Sequence, residues 1–238
     1  MKIAIIGYGK MGKTIERLAL DKGHEILLKL DQNNTHLLEE DAIQEVDVAI
    51  EFTNPDAAPE NVRKCIEKQI PIVSGSTGWY DEMEAMKSLT EKYNTGFFHT
   101  SNFSIGVHIF RAINRKLANI MNNYPSYQAS MEEIHHTSKL DAPSGTAVML
   151  ANEIINANES IEDWINENSS KVNKLGIVSK REGDAKGTHS IKYASEIDDI
   201  IISHVAHSRD GFALGAITAA EWLIGKIGFY NMNDLLDL

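Results

Sequence analysis

Apolar runs and helical stripes alternate along the first hundred residues of the chain. Continuous apolar runs, which are typical of strands buried on both faces, lie at 2–6, 25–30, 46–53, 71–74 and 96–99. Apolar residues at helical spacing lie between them, at 14–22, 57–68 and 81–93. Strands that alternate with helices predict a doubly wound parallel sheet, so we expect an α/β domain at 1–104.

The pattern changes after residue 102. Helices are predicted at 104–121 and 146–156, and long strands are predicted at 126–139, 187–196 and 198–208. An acidic run at 159–167 is interpreted as the solvated face of a helix. These elements predict a second, α+β domain with a mixed or antiparallel sheet, which we place at 105–213. A last helical stretch at 215–226 is predicted to return to the first domain, so that residues 214–238 complete it.

Composition narrows the range of functions. The 238 residues include 23 Lys or Arg and 34 Asp or Glu, and the formal net charge of −11 argues against a general affinity for nucleic acid. Cys65 is the single cysteine, so no internal disulfide can form and a reducing compartment is expected. The sequence shows neither a signal-peptide pattern nor a membrane-spanning segment, so we expect a soluble, cytoplasmic protein.

A glycine-rich loop follows the first predicted strand. Its residues fit the pattern G-x-G-x-x-G and are Gly7, Tyr8, Gly9, Lys10, Met11 and Gly12. The first glycine allows the tight turn, the second lets the backbone approach a pyrophosphate, and the third permits close packing of helix and strand. Because the loop opens a strand–helix–strand unit, we predict a Rossmann-type domain that binds a dinucleotide at a helix N-terminus.

Asp31 stands 19 residues after Gly12, at the end of the second predicted strand. An acidic residue there can accept hydrogen bonds from the adenosine ribose and disfavours a 2′-phosphate. The alternative is a turn residue, because Asp-Gln-Asn-Asn is a sequence that favours turns. The ribose role would slightly favour NADH over NADPH as the cofactor, although Lys10 and Lys13 are available to a phosphate.

Two loops after the fourth and fifth predicted strands should reach the same crevice, because ligands of open α/β sheets bind at the carboxyl ends of the strands. Their small residues would let the backbone approach the nicotinamide ribose. The candidates are Gly75, Ser76, Thr77, Thr100, Ser101, Asn102 and Phe103. Taken alone, both loops are equally compatible with ordinary turns.

The segment 133–147 concentrates groups that transfer protons or bind anions. Its candidates are His135, His136, Lys139, Ser144, Gly145 and Thr146. The histidines titrate near neutral pH, the lysine supplies a positive charge and a proton, and the last three residues suit a helix start whose N–H groups bind a carboxylate. No metal site is predicted, because adjacent histidines on a regular strand point to opposite faces. The remaining alternative is a set of solvated polar residues.

The same segment resembles the signature of the dihydrodipicolinate reductases, also called 4-hydroxy-tetrahydrodipicolinate reductases. That signature reads approximately E-x-H-H-x-x-K-x-D-x-P-S-G-T-A, and every fixed position is met between Glu133 and Ala147. The similarity also includes the glycine loop, SGSTG, SNFSIGV and the later SRDGFALGA, and so extends over essentially the whole chain.

The resemblance implies an NAD(P)H-dependent reduction of a cyclic imine dicarboxylate in lysine and diaminopimelate biosynthesis, with a proton added beside the site of hydride transfer. By position, His135 matches the acid/base histidine and Lys139 the proton donor. His136 and the segment 144–146 match substrate-binding positions, and the glycine loop, Asp31 and the two later loops match nucleotide contacts. A homotetramer built through the sheet of the second domain is also implied.

Two positions depart from the family pattern. Ser76 stands where a threonine is common, which affects only fine packing, and Gln32 stands where a basic residue often follows the acid, which weakens the case for equal use of NADPH. Arg209 is interpreted as a solvated residue and is assigned no role. Two rivals stay open from the residues alone: a nicotinamide-dependent dehydrogenase for an amino acid or sugar, and a non-catalytic module that binds NADH.

Overall fold

A computed structural model describes residues 1–169, 171 and 173–238, which form two compact units. The first consists of Met1–Ile105 and Asp210–Leu238, and the second of Gly106–Arg209. The sequence prediction divides the chain after residues 104 and 213, and the contacts divide it after 105 and 209. Every helix in the described part of the chain is too short or too polar to cross a lipid bilayer.

The first unit is built on a parallel sheet of six strands. Numbered along the chain, they are β1 (Lys2–Ile6), β2 (Glu25–Leu30), β3 (Val48–Glu51), β4 (Ile72–Ser74), β5 (Gly96–His99) and β11 (Gly228–Tyr230). Their order in the sheet is β11-β5-β4-β3-β1-β2, so the direction of winding reverses at β1. This arrangement confirms the predicted Rossmann-type fold.

Helices cover both faces of this sheet. They are α1 (Lys10–Asp21), α2 (Ala58–Glu67), α3 (Met83–Tyr93), α6 (Asp210–Leu223) and α7 (Met232–Leu236). Ile3 and Ile5 pack in one core cluster with residues of α1 and α6, whereas Ala4 and Ile6 pack in another with residues of α2 and α3. Burial on both faces explains why β1 is apolar at successive positions.

The second unit is built on a mixed sheet of five strands. The strands are β6 (Gln128–His135), β7 (Asp163–Ile165), β8 (Lys174–Arg181), β9 (Thr188–Ala194) and β10 (Asp199–Val205), in the order β10-β9-β6-β8-β7. β6 pairs antiparallel with β9 and parallel with β8, so the predicted mixed sheet is confirmed. Residues of α4 (Ile105–Met121) and α5 (Gly145–Ala157) join the core of this unit.

Three strands escaped the sequence prediction, and one predicted helix was wrong. The acidic run at 159–167 contains the short strand β7 instead of a helix. β8 was missed because Gly176 interrupts the apolar pattern between Leu175 and Ile177. A Cβ atom on Gly176 would lie 2.8 Å from the carbonyl oxygen of Glu167, so glycine is required there for the chain to pack closely. The third missed strand, β11, has only three residues.

Candidate functional site

The glycine loop makes the turn from β1 into α1. Gly7 has a φ of +95°, and a Cβ atom on it would lie 2.0 Å from the carbonyl oxygen of Phe52. A Cβ on Gly12 would lie 2.3 Å from the carbonyl oxygen of Gly7, so both positions require glycine. A Cβ on Gly9 would meet no atom within 4 Å, which leaves open space at the start of α1.

A cavity of about 440 Å³ lies at the carboxyl ends of β1, β2 and β3. Its lining includes Gly7, Tyr8 and Gly9 from the glycine loop, and Asp31 and Asn33 from the turn after β2. Among the described residues that line it there is no lysine or arginine. The position is the one at which open parallel sheets bind their ligands.

Asp31 shapes the turn after β2 as well as lining the cavity. Its Oδ1 accepts a hydrogen bond from the backbone N–H of Asn33 at 2.8 Å, and its own N–H donates to Oδ1 of Asn34 at 2.7 Å. The turn uses one carboxylate oxygen, and the side chain is exposed. The turn role and the ribose role are therefore compatible.

The other residues of the glycine loop have different environments. The Tyr8 hydroxyl donates a hydrogen bond to Glu16, and the Lys29 ammonium lies 5.5 Å from the centre of the Tyr8 ring. Lys10 is exposed at the first position of α1, whereas Met11 packs against the core. Of these, Lys10 has its charged group free to meet a ligand.

The loop after β4 is held against the sheet. A Cβ on Gly75 would lie 2.1 Å from the ring of Phe52, and Ser76 is buried with its hydroxyl donating to Oε1 of Glu51 at 2.7 Å. Thr77 is exposed. None of these three residues lines the cavity of about 440 Å³.

Glu51, which sequence reasoning missed, organises this edge of the sheet. Its carboxylate is fully buried and accepts hydrogen bonds from the hydroxyls of Ser74, Ser76 and Thr53, and from the Thr53 N–H. These contacts join the segments that follow β3 and β4. The available signal was an acidic residue within the apolar run VDVAIEF, since a buried charge needs partners.

The loop after β5 is stabilised by its own side chains. Oγ1 of Thr100 accepts from the backbone N–H of Asn102 at 3.2 Å, and Ser101 is exposed. The side chain of Phe103 is buried in the core, and a Cβ on Gly215 would lie 1.8 Å from its carbonyl oxygen. The side chain of Phe103 is therefore part of the core of the first unit. None of these loop residues lines the cavity of about 440 Å³.

In the second unit, the predicted reactive segment connects β6 to α5. Ser144 caps α5, and its Oγ accepts a hydrogen bond from the N–H of Ala147 at 3.2 Å, which confirms the predicted helix start. Gly145 is exposed in the first turn, where a Cβ would meet no atom within 4 Å, and Thr146 follows half-buried. The N-terminus of α5 therefore has room for an anion.

His135 ends β6 in a buried position. Its Nδ1 lies 3.1 Å from Oε2 of Glu133, and its ring packs against that of His189 with 5.1 Å between ring centres. Burial lowers the pKa of His135 below its ordinary value; the Glu133 charge opposes this effect, and the charges of Lys139 and Arg181 reinforce it. The environment of His135 therefore favours the neutral imidazole over the cation.

His136, the next residue, contacts a different set of groups. Its Nδ1 lies 2.8 Å from Oγ of Ser138, and its Nε2 lies 3.2 Å from Nη2 of Arg209. Together with Lys186, these residues line a cavity of about 520 Å³. Arg209 is exposed, as predicted, and it lies beside His136, a candidate substrate residue.

Lys139 lies in the loop between β6 and α5. Its Nζ donates to both carboxylate oxygens of Asp141 at 2.8 Å, and its backbone oxygen accepts from Nε of Arg181 at 3.3 Å. The hydrogen bond from Lys139 is the largest influence that lowers the pKa of Asp141. The two hydrogen bonds also restrain the position of the Lys139 side chain.

Arg181 and His189 also belong to this cluster, and sequence reasoning missed both. Arg181 ends β8 and donates through Nη2 to Oε1 of Glu133 at 3.1 Å. His189 lies on β9 opposite Glu133, with Nε2 at 3.2 Å from Oγ of Ser144. Burial and the neighbouring His135 lower the pKa of His189 to about 4. Both residues are distant in sequence, so the motif around β6 carried no sign of them.

Glu133, His135 and His189 also offer one potential metal-ligating atom each, all within 4.8 Å of one another. The guanidinium of Arg181 already lies 3.1 Å from the Glu133 carboxylate, and its positive charge disfavours a second cation there. Oε1 of the Glu133 carboxylate already accepts hydrogen bonds from Ser144 and Arg181. We interpret the group as a cluster of polar side chains around the Glu133 carboxylate.

Comparison with protein families gives a match in each half of the chain. A family model described as "Dihydrodipicolinate reductase, N-terminus" matches residues 1–103, and one described as "Dihydrodipicolinate reductase, C-terminus" matches residues 106–236. A relative from Christiangramia forsetii named 4-hydroxy-tetrahydrodipicolinate reductase is 44% identical over 237 residues, or 99% of this chain and 98% of that protein. A relative of the same name from Staphylococcus haemolyticus is 36% identical and covers 99% of this chain and 100% of that protein.

Solved structures agree at the level of the fold. A dipicolinate-bound dihydrodipicolinate reductase from Paenisporosarcina sp. TG-14 aligns with a TM-score of 0.76 and 24% identity over 98% of both chains. An amine dehydrogenase from Mycobacterium smegmatis aligns with a TM-score of 0.54 and 9% identity over 96% of this chain and 93% of that one.

Proposed function

This chain belongs to the dihydrodipicolinate reductase family, and from that premise we propose how its residues serve the family's reaction. The reaction is the NAD(P)H-dependent reduction of 4-hydroxy-tetrahydrodipicolinate in lysine and diaminopimelate biosynthesis. The observation that carries the assignment of residues is the concentration of cationic and N–H donor groups where β6 meets α5. In a chain of net charge −11, such a local field suits a dianionic substrate.

The nucleotide is assigned to the first unit. The open space beside Gly9 admits a pyrophosphate against the first turn of α1, where the N–H groups and the helix dipole favour an anion. Asp31 lines the adjoining cavity and would accept from the ribose hydroxyls. The backbones of the loops 75–77 and 100–103 are assigned to the nicotinamide half. When bound, the nicotinamide supplies the hydride.

A preference for NADH over NADPH is supported by charge. Asp31 contributes a carboxylate to the cavity, and no lysine or arginine is among the described residues that line it. A 2′-phosphate would therefore meet a like charge without a counter-charge from the lining. Lys10 lies outside this lining but is exposed at the start of α1, where it is available to a phosphate. The proposed preference for NADH is therefore modest.

The substrate carboxylates are assigned to donors of the second unit. The N–H groups of Gly145 and Thr146 at the start of α5 suit one carboxylate, with Ser144 fixing the helix start. His136 and Arg209 line the cavity of about 520 Å³ and suit a second anionic group. Arg209 is thereby added to the residues that the sequence indicated.

The proton is assigned to Lys139 and His135. Lys139 is positioned by its two hydrogen bonds to Asp141 and can donate a proton to the carbon beside the one that receives hydride. His135 is a neutral imidazole and acts as the acid/base group of the cluster. The positive charge of Lys139 also stabilises negative charge that develops on the substrate.

A homotetramer joined through the second unit is supported by an uncovered sheet edge. β10 is at the end of the sheet, and Ile201 and Val205 on it are 58% and 50% exposed. An apolar edge strand of this kind is normally covered in a stable protein. Light scattering of the purified protein measures the assembly directly, and a monomeric mass would exclude it.

The assignment is tested by the loss of NADH absorbance with freshly generated 4-hydroxy-tetrahydrodipicolinate, repeated with NADPH. Turnover with this substrate and none with amino acids or sugars is expected. A dehydrogenase of another class would show the opposite specificity. A non-catalytic module would bind NADH, as measured by fluorescence, without consuming it.

A further inference from the structure

Glu133 is the first fixed position of the reactive motif, and the proposed reaction assigns it no task. It is fully buried on β6, where its register partners are Ser179 of β8 and His189 of β9. Its Oε1 accepts hydrogen bonds from the N–H of Ser144 at 3.0 Å and from Nη2 of Arg181 at 3.1 Å. A buried carboxylate with such donors is retained in its ionised form.

The second oxygen of Glu133 faces His135. Oε2 lies 3.1 Å from Nδ1 of His135 and 3.9 Å from Nε2 of His189. Both Oε2 and Nδ1 are buried, and neither makes a hydrogen bond to any group of the described chain; they lie 3.1 Å apart without being aligned as donor and acceptor. An ionised carboxylate can only accept, so the nearest group able to satisfy Oε2 is an N–H on Nδ1 of His135.

This arrangement decides which nitrogen of His135 is basic. A neutral imidazole carries one N–H, and placing it on Nδ1 leaves the lone pair on Nε2. We propose that Glu133 is a positioning residue that fixes His135 in the Nδ1–H tautomer, so that Nε2 is the atom that exchanges a proton during reduction. The proposal rests on the role assigned to His135 in the proposed function.

The same carboxylate ties the proton-transfer residue to the substrate-binding helix. Oε1 accepts from Ser144, the cap of α5, while Oε2 orients His135 at the end of β6. A displacement of Glu133 would therefore move the acid/base group and the anion-binding N–H groups relative to each other. Small misplacements of this kind reduce catalysis strongly.

The groups around Glu133 determine the direction in which the pKa values of Glu133 and His135 are shifted. Arg181 of β8, His189 of β9 and Lys139 of the following loop face the cluster, with Asp141 paired to Lys139 and His204 of β10 near His189. Burial acts to raise the pKa of Glu133, but hydrogen bonds from Ser144, Ser179 and Arg181 outweigh it and the pKa is lowered. Glu133 in turn raises the pKa of His135, against the larger effect of burial.

The tautomer can be measured in the unsubstituted protein by ¹⁵N NMR of histidine-labelled enzyme. The His135 signals are assigned by their absence from His135→Gln. At neutral pH we expect a protonated Nδ1 and an unprotonated Nε2. A protonated Nε2 would overturn the proposal, and this measurement does not depend on a Glu133 variant that folds.

The variant Glu133→Gln tests the consequence for turnover. Its amide oxygen can still accept from Ser144 and Arg181, but its NH₂ would face Nδ1 and move the His135 proton to Nε2. We expect kcat to fall by about 10²–10⁴-fold, as for a histidine held in the wrong tautomer. The pKa of His135 should also fall, since the Glu133 charge raises it.

Glu132→Gln is the matched control. Glu132 is the neighbouring residue of β6, pairs with Lys180 at 2.6 Å and is half-exposed. The Glu132→Gln enzyme should retain the kcat of the unsubstituted enzyme and the Nδ1–H tautomer of His135. If Glu133→Gln is folded and keeps both wild-type kcat and the Nδ1–H tautomer, the positioning role is wrong.

The acid/base role of His135 and the positioning role of Glu133 are tested separately. If His135→Gln retains wild-type turnover, the proposed acid/base role of His135 is wrong, whereas the NMR tautomer still tests its contact with Glu133. If His135→Gln is slow but Glu133→Gln is unchanged in tautomer and kcat, only the inference about Glu133 fails.

Discussion

The Nζ atom of Lys139 lies 2.8 Å from each carboxylate oxygen of Asp141, two positions further along the chain. Both residues are fixed positions of the motif that begins at Glu133, so the spacing K-x-D builds a local ion pair. The pair restrains a long side chain that would otherwise sample many rotamers. A proton donor is thereby held ready at the end of β6.

Substitution of the proton-transfer residues should lower turnover without loss of nucleotide binding. We expect Lys139→Ala and His135→Ala each to reduce kcat by about 10²–10⁴-fold, the range typical of general acid–base groups. The NADH dissociation constant, measured by fluorescence, should be unchanged. Lys116→Ala, on the exposed surface of α4, is the control. Wild-type rates in both variants would remove these residues from the mechanism.

Asp141→Asn should have a smaller effect than loss of Lys139 itself. Its amide removes the counter-charge but leaves the ammonium in place, and solvent-exposed ion pairs contribute weakly. We expect kcat to fall by less than about tenfold, because the lysine keeps its charge but loses the partner that restrains its side chain. A kcat as low as that of Lys139→Ala would contradict this modest role.

Substitutions at Gly7 and Gly9 should distinguish an effect on protein stability from an effect on NADH binding. Gly7→Ala places a Cβ 2.0 Å from the Phe52 carbonyl oxygen at a φ of +95°, so thermal denaturation should reveal a marked loss of stability. Gly9→Ala meets no protein atom within 4 Å and should retain the thermal midpoint while NADH affinity falls at least about tenfold. Equal NADH affinity in Gly9→Ala and the parent would contradict a pyrophosphate at this turn.

Asp31→Ala should narrow the preference for NADH over NADPH. The change removes the carboxylate that would accept from the ribose and repel a 2′-phosphate. The measurement is the ratio of kcat/KM for the two cofactors. The control is Asp21→Ala, at the exposed end of α1, which removes the same negative charge from another place. An unchanged ratio would assign Asp31 to the turn alone.

Stability should fall as the pH is lowered from about 6.5 to about 4. Burial lowers the pKa of His189 from 6.5 to about 4, so in this window the unfolded chain binds a proton that the folded chain does not. The stability that depends on neutral His189 is therefore complete above 6.5 and decreases toward 4, by an amount on the order of 1–3 kcal/mol. His135 is shifted in the same direction, also by burial, and adds to the effect.

Thermal denaturation across this pH range measures the effect. His189→Asn should give a flatter pH dependence than the parent, whereas His36→Gln, at a largely exposed histidine, should leave the dependence unchanged. A parallel dependence in His189→Asn and the parent would assign the acid sensitivity to other groups.

The fold of the first unit was predictable because its pattern is local. Each strand of the parallel sheet is apolar at successive positions and each helix carries one apolar stripe, so the order of elements could be obtained from the sequence. β8 could not be predicted from its own pattern. Gly176 interrupts that pattern because it packs closely against the backbone of Glu167, which lies outside the strand. The boundary residues of α1 also differ, because Lys10–Lys13 lack an apolar stripe of their own.

The candidate site was predictable only where its residues are close in sequence. His135, Lys139 and Ser144 stand within one motif, so their residue types indicated proton transfer and anion binding. Arg181 and His189 reach the same cluster through the register of β8 and β9, which no local pattern specifies. Glu51 contacts Ser74 on β4 and Ser76 in the loop after it, and the pairing of these segments is likewise not specified by a local pattern.

The discontinuity of the first unit has a consequence for biosynthesis. β5 pairs on its outer side with β11, and the Phe103 carbonyl packs against Gly215 of α6, so both partners are translated after the whole second unit. A ribosome adds about 5–20 residues per second, and during that interval the outer edge of β5 has no strand beside it. A nascent chain that stalls at Arg209 contains all residues of the second unit but lacks β11 of the first. The first sheet then has an open edge at β5, and open edges of this kind favour aggregation.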